Sequence, residues 1–301
     1  LRYTKWMITL TSVSMLAACG GEETEEVIEE NETIEEEVEQ SEEELAEETE
    51  SLEGEPPETA TDEEVDEEPA ETDEEEVAEE TVLEPEYRVN PDTWTLLPLT
   101  EEAPEDVVLL TIDDAPDEYA VQMAETLEEM DVPAIFFVNG HLIDSPEGKE
   151  KLTRIADMGF AIGNHTWAHE NLTELSPEDQ TEEIVIVNEQ VQTVIGEKPR
   201  FFRAPFGENT ETSMLVADRQ EMVPMNWTYG YDWNEEYMEP EALADIMVNT
   251  DLLVDGSILL MHDREWSAAA LPEIIQGIRD KGYTFADPAL IEGGGAVADI
   301  E

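Results

Sequence analysis

Basic residues are scarce in this chain. Its 301 residues include 13 Lys and Arg against 80 Asp and Glu, a formal net charge of −67. A surface so negative repels nucleic acid and anionic membrane surfaces, so neither is expected as an electrostatic partner. Cysteine is scarcer still. Cys19 is the only one, so no intramolecular disulfide is available and the fold must rest on a packed core. Histidine occurs four times, which makes each position informative. The charge-free stretch from Trp6 to Ala18 is too short to span a bilayer.

What surrounds that stretch gives it a meaning. Arg2 and Lys5 precede it, and Leu16-Ala17-Ala18-Cys19-Gly20 follows. A short basic segment, an apolar core and small residues before a cut describe a secretory signal. The segment resembles the bacterial lipobox, in which the cysteine is lipidated and becomes the mature N-terminus. Residues 1–18 are therefore expected as a lipoprotein signal peptide and Cys19 as the lipidation site. The expected location is the extracellular face of a bacterial cell membrane, reached through a lipid anchor.

Residues 19–86 read as an acidic linker. Glu22 to Glu86 holds 35 Asp and Glu, no Lys or Arg and almost no aromatic residues. Such a segment buries too little apolar surface to offset chain entropy, so disorder is expected. As a flexible coil it would reach roughly 40–50 Å, and self-repulsion would extend it. Residues 87–105 form a lead-in containing Trp94, Leu96, Leu97 and Leu99. Residues 106–292 are the expected folded domain, with 293–301 a short tail.

Within that domain short apolar runs alternate with helix-like segments. The runs are Val107–Ile112, Ala134–Val138, Phe160–Ile162, Phe201–Phe202, Met222–Met225, Ser257–Met261 and Tyr283–Phe285. Helices are expected over Glu118–Met130, Gly148–Met158, Pro177–Ile195, Thr210–Gln220, Pro240–Thr250 and Ala268–Lys281. Pro177 and Pro240 suit first helical turns, and Ser176 suits an N-cap. This alternation predicts an α/β domain with about seven parallel strands covered by helices, either a short β/α barrel or an open sheet.

In parallel α/β folds, active sites gather at the C-terminal ends of strands. The first strand here ends in Asp113-Asp114, the third in Gly163-Asn164-His165 with His169 beyond, and the fourth in Arg203. The fifth is followed by Asp232-Trp233, and the sixth ends in Leu260-Met261-His262. His165 and His169 stand four residues apart, one helical face if the segment turns. Two imidazoles and the Asp114 carboxylate make a three-ligand set with an open position, the arrangement of catalytic zinc. Asp113 is placed to take a proton from water, and His262 to protonate a leaving group. His141 reads as structural. Together these residues point to metal-assisted hydrolysis of an amide or ester.

At these residues the chain resembles the NodB-like polysaccharide deacetylases, carbohydrate esterase family 4. The resemblance lies in Thr111-Ile112-Asp113-Asp114-Ala115-Pro116, His165-Thr166-Trp167-Ala168-His169, Arg203-Ala204-Pro205-Phe206-Gly207, Asp232-Trp233 and Leu260-Met261-His262. It implies a distorted (β/α) barrel with fewer than eight regular strands. It implies a divalent metal on Asp114, His165 and His169, zinc first and cobalt or nickel as alternatives. Asp113 would be the general base, oriented by Arg203, and His262 the general acid, tuned by Asp232. The Phe206 N–H would help hold the oxyanion, and Trp233 and Leu260 would line the pocket for the acetyl methyl. The expected substrate is an N-acetylated polysaccharide, whether peptidoglycan, a chitin-like polymer or poly-N-acetylglucosamine, and a monomer is expected. O-deacetylation of a glycan such as xylan and non-catalytic glycan binding are the competing readings.

Four positions depart from the family pattern. Ile112 stands where Phe is usual, a tolerable core swap. Ala115 stands where Gly is usual, so the turn there must avoid positive φ or accept strain. Phe206 replaces a Tyr, and Tyr229 stands where an Asp is frequent.

Overall fold

The computed structural model describes residues 84–293. The expected signal peptide, Cys19, all but the last three residues of the acidic linker and nearly all of the tail lie outside them. Among the described residues no helix is long and apolar enough to cross a membrane.

The core is built on a parallel sheet. Its strands are β3 (Val107–Ala115), β4 (Ala134–Val138), β5 (Ala161–Asn164), β6 (Phe201–Phe202), β7 (Val223–Pro224), β8 (Ser257–His262) and β9 (Thr284–Phe285). All seven fall on apolar runs read from the sequence. The order is β7-β6-β5-β4-β3-β8, and β9 pairs with the first residues of β3. Every pairing within this sheet is parallel. Helices α1 (Ala120–Glu129), α2 (Pro146–Asp157), α3 (Pro177–Ile195), α4 (Glu211–Arg219), α5 (Pro240–Asn249) and α6 (Glu265–Asp280) alternate with the strands. The result is the expected distorted (β/α) barrel, a curled sheet surrounded by helices.

The distortion has a local cause. No regular strand joins β7 to β8. The chain leaving β7 bridges the gap with single contacts, Thr228 N–H to the Ile258 carbonyl at 2.8 Å and Leu260 N–H to the Tyr229 carbonyl at 2.9 Å.

Helix ends follow the chemistry of their first residues. Ser145 and Ser176 accept the Gly148 and Asp179 N–H groups at the starts of α2 and α3. Thr210 and Ser213 form a reciprocal capping box on α4. Gly196 ends α3 in the left-handed conformation, with φ 85°. The serine and threonine caps satisfy N–H groups that a helix start leaves unpaired, and the Gly196 N–H serves the Gln192 carbonyl at the end of α3.

Strand period decides which residues reach the interior. Both faces of β3 are buried, as in a covered parallel sheet. Val108, Leu110 and Ile112 pack against the helices, while Val107 and Leu109 face the barrel interior. Continuing by twos places Thr111 and Asp113 on the interior side. On β8, Leu259 and Met261 face the helices and Ile258 faces inward, which carries Leu260 and His262 to the same side as Asp113. Asp113 and His262 are direct neighbours in the β3–β8 register.

The lead-in is more ordered than its sequence suggested. It forms an antiparallel ribbon of β1 (Tyr87–Val89) and β2 (Leu96–Pro98), with Tyr87 and Leu96 buried. The ribbon is tied to the body by Leu96 N–H on the Gly256 carbonyl at 2.7 Å and Glu292 N–H on the Tyr87 carbonyl at 2.7 Å. Three-residue strands carry too little periodicity to be read from sequence.

Phe136 is fully buried on β4 with its ring edge-on to Phe160 at 5.3 Å. Phe136→Ala is expected to cost about 3–5 kcal/mol through lost burial and the cavity left behind. Equilibrium denaturation of parent and variant checks this.

Candidate active site

The C-terminal ends of β3, β5, β6 and β8 converge on a groove of about 500 Å³. Asp113, Asp114, His165, His169, Phe206, Asp232, Trp233, Leu260 and His262 all line it. Arg203 lies fully buried behind Asp113. The structure thus brings together every site residue expected from the sequence except Cys19, which is outside the described residues.

Arg203 organises the floor. Its Nη1 donates to Asp113 Oδ1 at 2.6 Å and to Thr111 Oγ1 at 2.8 Å. Its Nε and Nη2 donate to the Met225 and Asn226 carbonyls, each at 3.0 Å. The guanidinium lies over the Phe137 ring at 4.1 Å. Burial pulls the Arg203 pKa below its ordinary value, with Asp113 opposing that pull through its charge and hydrogen bond. An arginine keeps its proton under such a shift.

His165 and His169 come together without a helix. The segment between β5 and α3 is irregular at both residues, and Thr166 and His169 are left-handed, with φ 66° and 57°. This corrects the one-face helical reading. Side chains fix the loop instead. Asn164 Oδ1 accepts the Thr166 N–H at 2.9 Å, and Asn139 Nδ2 donates to the His165 carbonyl at 2.7 Å. His141, outside the groove, contacts the Trp167 carbonyl through Nδ1 at 2.7 Å, in line with a structural role. The two rings of His165 and His169 then meet edge to face at 4.8 Å.

The donor set suits a divalent cation. His165 Nδ1 lies 2.8 Å from the Arg203 carbonyl, which can only accept, so the ring proton sits there and Nε2 presents its lone pair. That lone pair faces Asp113 Oδ2 at 3.5 Å and Asp114 Oδ1 at 3.9 Å, and His169 Nε2 lies 3.6 Å from the same Asp114 oxygen. Lone pairs converging on carboxylates repel unless a positive charge sits between them. One donor atom each from Asp114, His165 and His169 lies within 4.8 Å of the others. Burial and the neighbouring His165 hold His169 below the usual histidine pKa, which favours the neutral ligand form.

Across the groove, Asp232 is fully buried and holds His262 twice. Its Oδ1 contacts His262 Nδ1 at 2.8 Å, and its Oδ2 accepts the His262 N–H and the Ser267 hydroxyl, each at 2.6 Å. Burial alone would lower the His262 pKa. The hydrogen bond and charge of Asp232, with the charges of Asp113 and Asp114, outweigh it and hold the imidazole above its ordinary value. Trp233 stands edge-on to His262 at 5.5 Å and is half exposed at the rim.

The departures fall where they do little harm to this geometry. The left-handed residue after Asp113 is Asp114 itself, with φ 60°, so Ala115 needs no glycine-like backbone. Phe206 is left-handed too, at φ 60°, and its exposed ring packs edge-on to His169 at 4.9 Å. The Phe206 N–H has no acceptor among the described residues. Tyr229 is buried among the helices with its hydroxyl on the Met247 carbonyl at 2.8 Å, away from the groove.

Sequence reasoning missed Arg264. It lines the groove and donates from Nη2 to Asp114 Oδ2 at 2.7 Å. Its place two residues after His262 was the available signal. Trp227, Met238 and Trp266 also line the groove and carried no distinguishing pattern.

Comparison with known proteins agrees with this architecture. The sequence pattern of the polysaccharide deacetylase family matches residues 100–224, with Asp232, Trp233, Leu260 and His262 beyond it. A peptidoglycan-N-acetylglucosamine deacetylase of Bacillus cereus is 31% identical over 191 residues, which are 59% of this chain and 65% of that protein. A deacetylase solved with substrate is 32% identical with a TM-score of 0.55, covering 62% of this chain and 90% of that one. A family 4 pseudoenzyme from Bacillus anthracis is 28% identical with a TM-score of 0.56, covering 61% of this chain and 64% of that one. The chain belongs to the polysaccharide deacetylase family. It spans 65%, 51% and 29% of the length of three curated relatives that it matches.

Two outcomes follow from this geometry. Arg203→Met leaves Asp113 buried without its cation and is expected to cost about 3–5 kcal/mol, read from chemical denaturation. Asp232→Asn removes the charge that raises His262, so the imidazole pKa should fall, as followed by NMR titration of its ring protons.

Proposed function

We propose that this protein is a metal-dependent hydrolase that removes N-acetyl groups from N-acetylglucosamine residues of peptidoglycan or a related polysaccharide. The observation that carries this reading is the Asp114, His165 and His169 donor set, converging within 4.8 Å beside Asp113. A divalent cation bound there, zinc first and cobalt or nickel as alternatives, would polarise the acetyl carbonyl and acidify water at the site.

The chain's own residues supply the rest. Asp113 accepts the proton of the attacking water, with Oδ1 held by Arg203 and Oδ2 turned toward His165. Arg203 balances the Asp113 charge and keeps the carboxylate from rotating. The Phe206 N–H, which has no acceptor among the described residues, would be the donor for the oxygen that gains charge. His262 gives a proton to the departing nitrogen, leaving a free amine on the sugar and acetate in solution. Asp232 keeps that proton on His262 to higher pH. Trp233 and Leu260 close around the acetyl methyl.

The lipobox-like segment ending at Cys19 supports a place on the outer face of the cell membrane. The acidic stretch behind it would serve as a spacer into the wall zone. Envelope glycan is the substrate that such a place favours. A peptidoglycan deacetylase among the relatives supports the same choice.

Acetate release by the full chain decides between the readings. It should occur with N-acetylchitooligosaccharides or peptidoglycan, cease in chelator, return with zinc, and be lost in Asp114→Ala. Release that survives chelator or Asp114→Ala would end the metal reading. Release from acetylated xylan alone would assign an O-acetyl esterase. No release from any of these with metal restored would leave a glycan-binding module on this fold. In Asp232→Asn the alkaline limb of the rate profile should move to lower pH, because His262 loses its proton sooner.

A further inference from the structure

We propose that Arg264 is a positioning residue of the metal site. It occupies the outer oxygen of Asp114, so that a single carboxylate oxygen faces His165 and His169. The inference rests on the metal-dependent reading above and adds a residue to it.

The contact is directional. Arg264 Nη2 donates to Asp114 Oδ2 at 2.7 Å, while Asp114 Oδ1 faces His165 Nε2 at 3.9 Å and His169 Nε2 at 3.6 Å. The two oxygens of one carboxylate thus have separate partners. A carboxylate with both oxygens free binds a divalent cation through one or through both. With Oδ2 held, Asp114 supplies one ligand atom. Three single donors then leave positions open for water and for the acetyl oxygen.

The guanidinium is itself anchored. Its Nη1 donates to the carbonyl of Asp263 at 2.9 Å. Asp263 in turn locks β8 to the strand that carries Asp114. Its N–H donates to the Asp113 carbonyl at 3.1 Å, and its carboxylate accepts the Asp117 and Tyr119 N–H groups, each at 2.6 Å. The reach from Arg264 to Asp114 is therefore set by backbone on both sides. The Asp114 backbone is left-handed, so its side-chain direction depends on such outside support.

Arginine fits this task better than lysine. Its planar fork serves the Asp263 carbonyl and the Asp114 oxygen at once, whereas an ammonium on a shorter stem is a point charge.

Metal binding, measured apart from catalysis, tests the proposal. The full chain is stripped of metal and titrated with zinc against a chromophoric chelator. Cobalt is added to parallel samples and its visible absorption recorded. Arg264→Met should weaken zinc binding about tenfold or more, the usual scale for outer partners of metal ligands. Arg264→Lys should fall between parent and Met. The cobalt complex of the Met variant should absorb more weakly, as Asp114 swings to two-oxygen binding and coordination number rises. Zinc binding in Arg264→Met as tight as in the parent, with an unchanged cobalt spectrum, would overturn the proposal. Asp114→Asn separates the two levels of inference. If that variant binds zinc like the parent, the metal site itself is wrong and the proposal falls with it. If it loses binding while Arg264→Met keeps it, only the role of Arg264 is lost.

Discussion

A single buried guanidinium holds the ends of four strands together. Arg203 leaves the end of β6, reaches Thr111 and Asp113 on β3, and donates to carbonyls just past β7. Its own carbonyl receives the ring N–H of His165, beyond β5. Removing such a charge from water costs several kcal/mol, and the carbonyls, the carboxylate and the Phe137 face together offset it. The arrangement sets the Asp113 carboxylate and fixes the tautomer of His165 in one stroke. The proposed chemistry of the groove depends on those two settings. The histidine on the opposite wall depends on a second buried charge, Asp232, which is likewise saturated with donors.

The barrel was legible because its strands and helices obey local rules. Seven apolar runs became seven strands, and Ser176 and Pro177 opened a helix where capping chemistry places one. The interior position of Asp113, Leu260 and His262 followed from strand period once the strand ends were known. The gaps have physical reasons. The β1–β2 ribbon is stabilised by contacts to Gly256 and Glu292, far away in sequence, so its short strands carry no pattern of their own. The joining of His165 to His169 comes from a loop pinned by Asn139 and Asn164, so spacing alone suggested the wrong conformation for the right pair. The Arg203 and Asp232 pairings came from resemblance, since residue type and spacing do not reveal who partners a buried charge. Arg264 escaped notice because an arginine after a strand is commonplace until its reach is measured.

Four residues around the groove, Asp114, Thr166, His169 and Phe206, hold a backbone conformation that favours glycine. Each such residue costs on the order of 1 kcal/mol. Asn139 and Asn164 hold the loop at Thr166, and Asp263 holds the turn after Asp114, against this strain. The groove is thus a region where folding and chemistry are opposed. Were the proposed hydrolysis no longer selected, relaxing any of these four positions would make a steadier barrel at the expense of the groove. The same feature gives a direction to decay: an idle copy of this domain would lose the groove first and its shape last.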